Sequence, residues 1–193
     1  MTSAVSTPVR LAAGDIAPDF LTVDIFDRPI QFHNAVAHQP ILLAFLRNGA
    51  CALCNLRVSQ LIARYPAYRA RGIEVIAVFE SPVESIRQYV GRQDAPFPII
   101  ADPTADLYAL YGVEVSEEKV NATLTDAATP ARVQAAAAAG FVLTQEEGSN
   151  FHRIPADFLI ERGGRIHAAF YAERVGEHLS FEDIDAWTER GRE

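Results

Sequence analysis

Ile41-Leu42-Leu43-Ala44-Phe45-Leu46, followed directly by Arg47-Asn48-Gly49-Ala50-Cys51-Ala52-Leu53-Cys54, is the stretch on which the reading of this chain turns. The six apolar residues run without interruption, the pattern of a strand buried on both faces. Beyond Cys51, the positions of Leu53, Leu56, Leu61 and Ile62 point to a helix from about Cys51 to about Arg71, closed by Gly72. Pro66 lies inside that span, where a kink or a division is expected. A buried strand therefore delivers two cysteines to the start of a helix.

That placement has a chemical consequence. Unpaired N–H groups and the helix dipole stabilise a thiolate at a helix N-terminus and lower its pKa. The i, i+3 spacing puts both sulfurs on one face, within disulfide reach. One thiolate can attack and the other can resolve. Two other readings of a Cys-x-x-Cys stand beside this one. It can be half of a zinc site, but no second Cys pair and no His-x(3–5)-His pattern supplies further ligands, and His33, His38 and His152 could help only through the fold. It can also be a pair of inert buried thiols.

Outward from this centre the chain alternates strands and helices. Phe20 to Phe26 and Ile30 to His33 read as two short strands around a turn at Asp27-Arg28-Pro29. Ile73 to Phe79 reads as a second buried strand. Ser81 and Pro82 stand as N-cap and N1 of a helix carrying Val83, Ile86 and Val90. Phe97 to Ile100 is a short strand, and Asp102-Pro103 opens a helix through Tyr108 to Tyr111 that Gly112 ends. Ala156 to Ile160 and Ile166 to Tyr171 form a hairpin around Gly163-Gly164, and Ser180 caps a last helix with Phe181, Ile184 and Trp187 inward. This succession predicts an α/β fold, a single domain over residues 1–193. Residues 113–150 break the rhythm and read as a helical insertion, with a helix starting at Thr129-Pro130, running through Ala135 to Ala139 and stopping at Gly140. Such a segment can be a solvated cover, a lid or a homodimer surface.

The bulk numbers narrow the function classes. Of 193 residues, 49% are hydrophobic and 22% charged, ordinary globular composition, and the net charge of -8 without a basic patch argues against nucleic acid. The N-terminus shows no secretory pattern and no apolar run is long enough for a bilayer, so a cytoplasmic protein without a membrane partner is the expectation. In that compartment a close cysteine pair is more often catalytic or metal-binding than a structural staple. Gly163-Gly164 opens no helix, so no flavin or nicotinamide site is expected, and no cofactor. Electrons must then come from an external thiol.

A second element is Arg153-Ile154-Pro155-Ala156, a proline immediately before a buried strand. It is either an ordinary strand-entry proline or a cis peptide bond in a tight turn. The order strand, Cys-x-x-Cys, helix, Ile154-Pro155 and hairpin resembles thioredoxin. The opening Gly14-Asp15-Ile16-Ala17-Pro18-Asp19-Phe20, Asp102-Pro103 before a helix, and Phe158-Leu159-Ile160-Glu161 before the glycine turn resemble the peroxiredoxin family (alkyl hydroperoxide reductase/thiol-specific antioxidant). The resemblance covers about residues 11–112 and 151–190. It implies a thioredoxin-like fold, a central mixed sheet flanked by helices, and a dithiol–disulfide cycle of Cys51 and Cys54 that reduces peroxides or protein disulfides. A thioredoxin-, glutaredoxin- or glutathione-like donor would restore the thiols. It further implies a cis Pro155 beside the cysteines.

The departures are specific. The peroxiredoxin Pro-x-x-x-Thr/Ser-x-x-Cys pattern has Arg47 at its Pro position, Cys51 at its Thr position and Cys54 at its peroxidatic position. The family's later arginine would fall at Pro155, and Arg153, two residues away, is the nearest substitute. Helix-end physics favours Cys51 as the attacking thiol; the peroxiredoxin alignment favours Cys54. The site residues expected are therefore Cys51, Cys54, Arg47, Arg153 and Pro155. The rival class is a redox-inert binding module on the same fold.

Overall fold

The computed structural model describes residues 9–190. Strand β3 (Ile41–Phe45) lies at the centre of a five-stranded sheet of order β5-β4-β3-β6-β7, with β4 Glu74–Phe79, β5 Ile99–Ala101, β6 Ala156–Ile160 and β7 Ile166–Tyr171. β3, β4 and β5 run parallel, while β6 is antiparallel to β3 and β7 to β6. The sheet is thus mixed, and helices flank it. β1 (Leu21–Val23) and β2 (Pro29–Gln31) make a separate two-stranded ribbon.

Every residue of β3 is buried, which explains the unbroken apolar run. Alternate side chains feed opposite cores. Leu42 and Leu46 join Val58, Leu61, Tyr65 and Tyr68 of helix α2 (Ala52–Ala70) and Trp187 of α7 (Phe181–Arg190). Ile41, Leu43 and Phe45 join Phe32, Tyr108, Tyr111 and Phe158 on the other face. Each large apolar side chain fully removed from water contributes about 1.5–3 kcal/mol, so the strand that carries the site is anchored on both sides. α2 runs unbroken through the exposed Pro66. Its buried face holds the helix together where the proline removes one backbone bond.

Two helices differ from the sequence expectation. The chain after β2 is helix α1 (Phe32–His38) rather than a strand through His33. Phe32 and Val36 place one turn of apolar surface in the core, and Asp19 Oδ1 accepts the His33 N–H at 2.9 Å, a cap supplied from 14 residues away. Helix α5 (Glu117–Thr125) starts at Ser116, whose Oγ accepts the Lys119 N–H at 3.2 Å. The remaining helices are α3 (Val83–Tyr89), α4 (Asp106–Leu110) and α6 (Thr129–Ala138), and a 3-10 turn spans Val90–Gln93. α4 is capped by Asp102, whose carboxylate accepts from Asp106 N and Leu107 N. α6 packs on α2. Among the described residues no helix is long and apolar enough to cross a membrane.

Candidate active site

The chain leaves β3 at Phe45, and the sheet pattern persists one step further. Leu46 N–H donates to Val78 O at 2.9 Å and Glu80 N–H to Arg47 O at 2.9 Å. The cysteine loop is therefore hung from the C-terminal ends of β3 and β4. Gly49 sits where a side chain would crowd α3: a Cβ there would stand 3.2 Å from Ser85 Oγ and 3.3 Å from the Ile86 backbone. Ser81 does not cap α3, whose N-cap is Pro82. Its Oγ turns to the loop instead, accepting from Gly49 N at 2.9 Å. Asn55 clamps the same loop from α2, its Nδ2 donating to Gly49 O at 2.8 Å and Cys51 O at 3.0 Å.

Cys51 is the N-cap of α2. Its sulfur takes the place of a capping oxygen, accepting the Cys54 N–H at 3.3 Å and the Cys54 S–H across 2.7 Å. Both cysteines are free thiols. The hydrogen bond from Cys54, the charge of Arg47 and the N–H groups of Cys54 and Leu53 outweigh burial and lower the Cys51 pKa to about 6. Burial first, then the hydrogen bond to Cys51 and the Cys51 charge, push the Cys54 pKa well above its ordinary value. The pair is split into a ready thiolate and a protonated reserve.

Arg47 is buried and, among the described residues, pairs with no carboxylate. Its Nε donates to Arg153 O at 2.9 Å, a second nitrogen donates to Phe151 O, and the guanidinium lies over the Phe151 ring at 5.3 Å. A buried cation without an anion is costly, and a Cys51 thiolate supplies the missing charge. Arg153 has a different place. Glu80 grips it at 2.5 and 3.2 Å, Val113 O accepts from it at 2.6 Å, and it stacks on Tyr108 at 4.6 Å. Its contribution to the site runs through its carbonyl, which orients Arg47.

Pro155 enters β6 one residue beyond the Phe45–Ala156 pair, at the same sheet end as the cysteines. The expected cis bond is not there: among the described residues every peptide bond is trans. The backbone enters β6 extended, with Ile154 N–H donating to Glu114 O and Pro155 O accepting from Ala172 N. No tight turn demands the less stable isomer. No cluster of three or more His, Cys, Asp or Glu side chains with metal-ligand spacing occurs among the described residues.

A cavity of about 650 Å3 opens over Cys51. Leu53 forms part of its floor, and Val120, Leu124, Val133 and Leu143 of the segment 113–150 form much of its wall. Glu146 ties this segment to the loop: its carboxylate accepts from Ser81 Oγ at 3.0 Å and from Ala50 N at 3.4 Å. The sequence reading missed Glu146, Ser81, Asn55 and Glu80. Only Ser81 stood beside a recognisable signal, the start of a helix, and that signal pointed to a different role.

Residues 13–169 match the model of the AhpC/TSA family. The chain belongs to the AhpC/TSA family. This AhpC/TSA chain is 24% identical over 105 residues to the thiol-disulfide oxidoreductase ResA of Bacillus thuringiensis, covering 54% of its own length and 60% of the relative's. It thus spans about three fifths of that curated relative. Its fold matches the peroxidoxin BcpB of Mycobacterium tuberculosis with a TM-score of 0.66 at 12% identity, covering 95% and 97% of the two chains. A mutant of peroxiredoxin 6 of Arenicola marina matches with a TM-score of 0.69 at 14% identity, covering 93% and 72%. These structural matches establish the thioredoxin-like fold of the AhpC/TSA chain.

Proposed function

We propose that this protein is a thiol-dependent oxidoreductase in which Cys51 attacks and Cys54 resolves. The observation that carries the reading is the Cys51 sulfur at the α2 N-cap, receiving the Cys54 N–H and S–H with Arg47 beside it. On a disulfide, the Cys51 thiolate bonds to one sulfur and the other leaves as a thiolate. Cys54 then loses its proton, attacks the Cys51 sulfur and releases the second thiol, leaving a Cys51–Cys54 disulfide. On a peroxide, the thiolate bonds to one oxygen and the O–O bond breaks. The other oxygen leaves as an alcohol or water after taking a proton, and Cys51 becomes a sulfenic acid. Cys54 condenses with it and water departs. In either case the substrate gains two electrons, and two equivalents of an external thiol reduce the protein disulfide, becoming a disulfide themselves.

The family match supports the peroxide branch, and the name of the curated relative supports the disulfide branch. Helix-end geometry favours Cys51 over the Cys54 position of the peroxiredoxin pattern in both. A reducing, cytoplasmic compartment suits a dithiol that must be regenerated by a soluble thiol. The test is mass spectrometry of the alkylated protein after brief treatment with hydrogen peroxide or hydroxyethyl disulfide. The wild type should lose both alkylation sites and two hydrogens, and Cys51→Ser should keep its thiol. Two freely alkylated cysteines after oxidation would make the protein a redox-inert module.

A further inference from the structure

We propose that the segment 113–150 builds a pocket for the substrate's substituent: it selects molecules in which the bond broken by Cys51 carries a small apolar group on one of its two atoms. This deepens the dithiol reading above and rests on it. That bond can be the S–S bond of a disulfide or the O–O bond of a hydroperoxide, whose carbon group sits on the oxygen that leaves. The chemistry the pocket recognises, an apolar substituent next to that bond, is the same in both.

Several independent features point to this occupant. Cys51 is only 8% exposed and forms part of the cavity lining. Around it stand Leu53, Val120, Leu124, Val133, Leu143 and Phe151, all but Leu53 contributed by the segment or the residue just after it. The charged groups at the margin are already engaged. Glu146 is bonded to Ser81 and Ala50, and Arg47 to the carbonyls of Phe151 and Arg153. The other polar side chains of the lining, Thr123, Thr129, Thr144, Gln145 and Ser149, are uncharged, so an ionic substituent would find no counter-charge that is not already engaged. At the reactive end Asn48 lines the cavity, and its buried Oδ1 has no hydrogen-bond partner among the described residues.

The walls also reach into water. Leu124 is 70% exposed, Leu143 64% and Phe151 54%. The same segment does bury side chains where it packs on the fold, at Val120 and Ala136. Its exposed leucines are therefore concentrated where the cavity opens, the arrangement of a site that gains burial from a ligand. The volume suits a small molecule: roughly 300–1,000 Å3 is the ordinary range for such sites. A folded protein presenting its own disulfide needs a patch of roughly 800 Å2 brought up to the sulfur. Leu143, Thr144, Gln145, Glu146, Ser149 and Phe151 line the cavity over that sulfur, and Glu146 ties this stretch to Ser81 and Ala50.

The experiment measures the rate at which the reduced full chain loses its Cys51 thiol, by rapid alkylation, with two matched pairs of oxidants. One pair is cumene hydroperoxide and hydrogen peroxide; the other is dibutyl disulfide and hydroxyethyl disulfide. In at least one pair the apolar member should react about tenfold faster than the polar one. The pair that shows it identifies the source of the substituent. Leu124→Ser and Leu143→Ser, both exposed and tolerant of change, should cut that ratio to about a third or less. Leu110→Ser, an exposed leucine outside the cavity, should keep it. A ratio near one in both pairs, or one unmoved by the cavity variants, would overturn the proposal. So would faster reaction with the disulfides of insulin, which would assign the exposed leucines to a protein partner. These failures leave the dithiol cycle standing. Oxidation of neither cysteine by any reagent would sink the cycle itself, and the pocket with it.

Discussion

The backbone N–H of Cys54 points at the sulfur of Cys51 from 3.3 Å, and the Cys54 thiol lies 2.7 Å from the same atom. One residue thus stabilises its partner's thiolate twice while remaining protonated itself. A helix start imposes this on any Cys-x-x-Cys that places its first sulfur at the N-cap. The unpaired N–H groups of the first turn converge on that position, and the second cysteine lies one turn deeper among apolar neighbours.

The first prediction is a pH profile. Alkylation of the Cys54→Ser variant should rise with a midpoint near 6, since the serine hydroxyl still donates to the remaining sulfur. Cys51→Ser leaves a buried Cys54 whose reaction should rise only above 9.0, its ordinary value. A thiol whose pKa is depressed by folding stabilises the reduced protein above its unfolded value, roughly 8.5, and that stabilisation is lost as pH falls through about 6. The stability gap between the reduced wild type and Cys51→Ser should therefore narrow between pH 9 and pH 5, as denaturant unfolding would show. A midpoint for Cys51 at its ordinary value would remove the activated-thiolate reading.

Arg47→Met removes the positive charge beside the thiolate and the two bonds to Arg153 O and Phe151 O. The Cys51 midpoint should move upward from about 6, and alkylation at pH 5, below that midpoint, should slow by about threefold to tenfold, since one pKa unit is there a tenfold change in thiolate. Arg47→Lys should restore part of the rate, because it returns the charge without the planar fork. Equal rates for all three proteins would show that the helix N-terminus alone activates the sulfur.

Asp157 lies fully buried in β6, 3.3 Å from the Arg57 guanidinium and 3.2 Å from His178 Nδ1. Burial opposes its charge, but His178 and Arg57 outweigh burial and hold its pKa below the ordinary carboxylate range. Asp157→Ala leaves the Arg57 cation buried without its anion and should cost about 3 kcal/mol in urea unfolding. The Asp157 contribution is present at neutral pH and is lost as pH falls through the depressed carboxylate value. A loss under about 1 kcal/mol would mean that water reaches Arg57 and screens it.

Much of the fold is written locally. The unbroken run Ile41 to Leu46 marks a strand buried on both faces because both cores of the sheet require apolar contacts at every position. The cysteine pair at the start of α2, the Gly163-Gly164 hairpin and the Ser180 cap of α7 are legible for the same reason: each is decided by residues within one turn or one strand of it. Helix α1 is not, since its apolar residues Phe32 and Val36 are few and its Asp19 cap comes from outside the segment.

The sequence by itself determined where the dithiol sits and why a helix start would activate it. Only the tertiary structure decided which groups surround it. Arg153 is committed to Glu80, 73 residues away, and Glu146 to Ser81, 65 residues away. The trans entry of Pro155 into β6 follows from bonds to Glu114 and Ala172 on other elements. Hydrophobic periodicity and capping signals report on neighbours along the chain. Burial, ion pairing and a cavity wall depend on residues brought together across it, and those distances come into being only when the sheet closes its two cores.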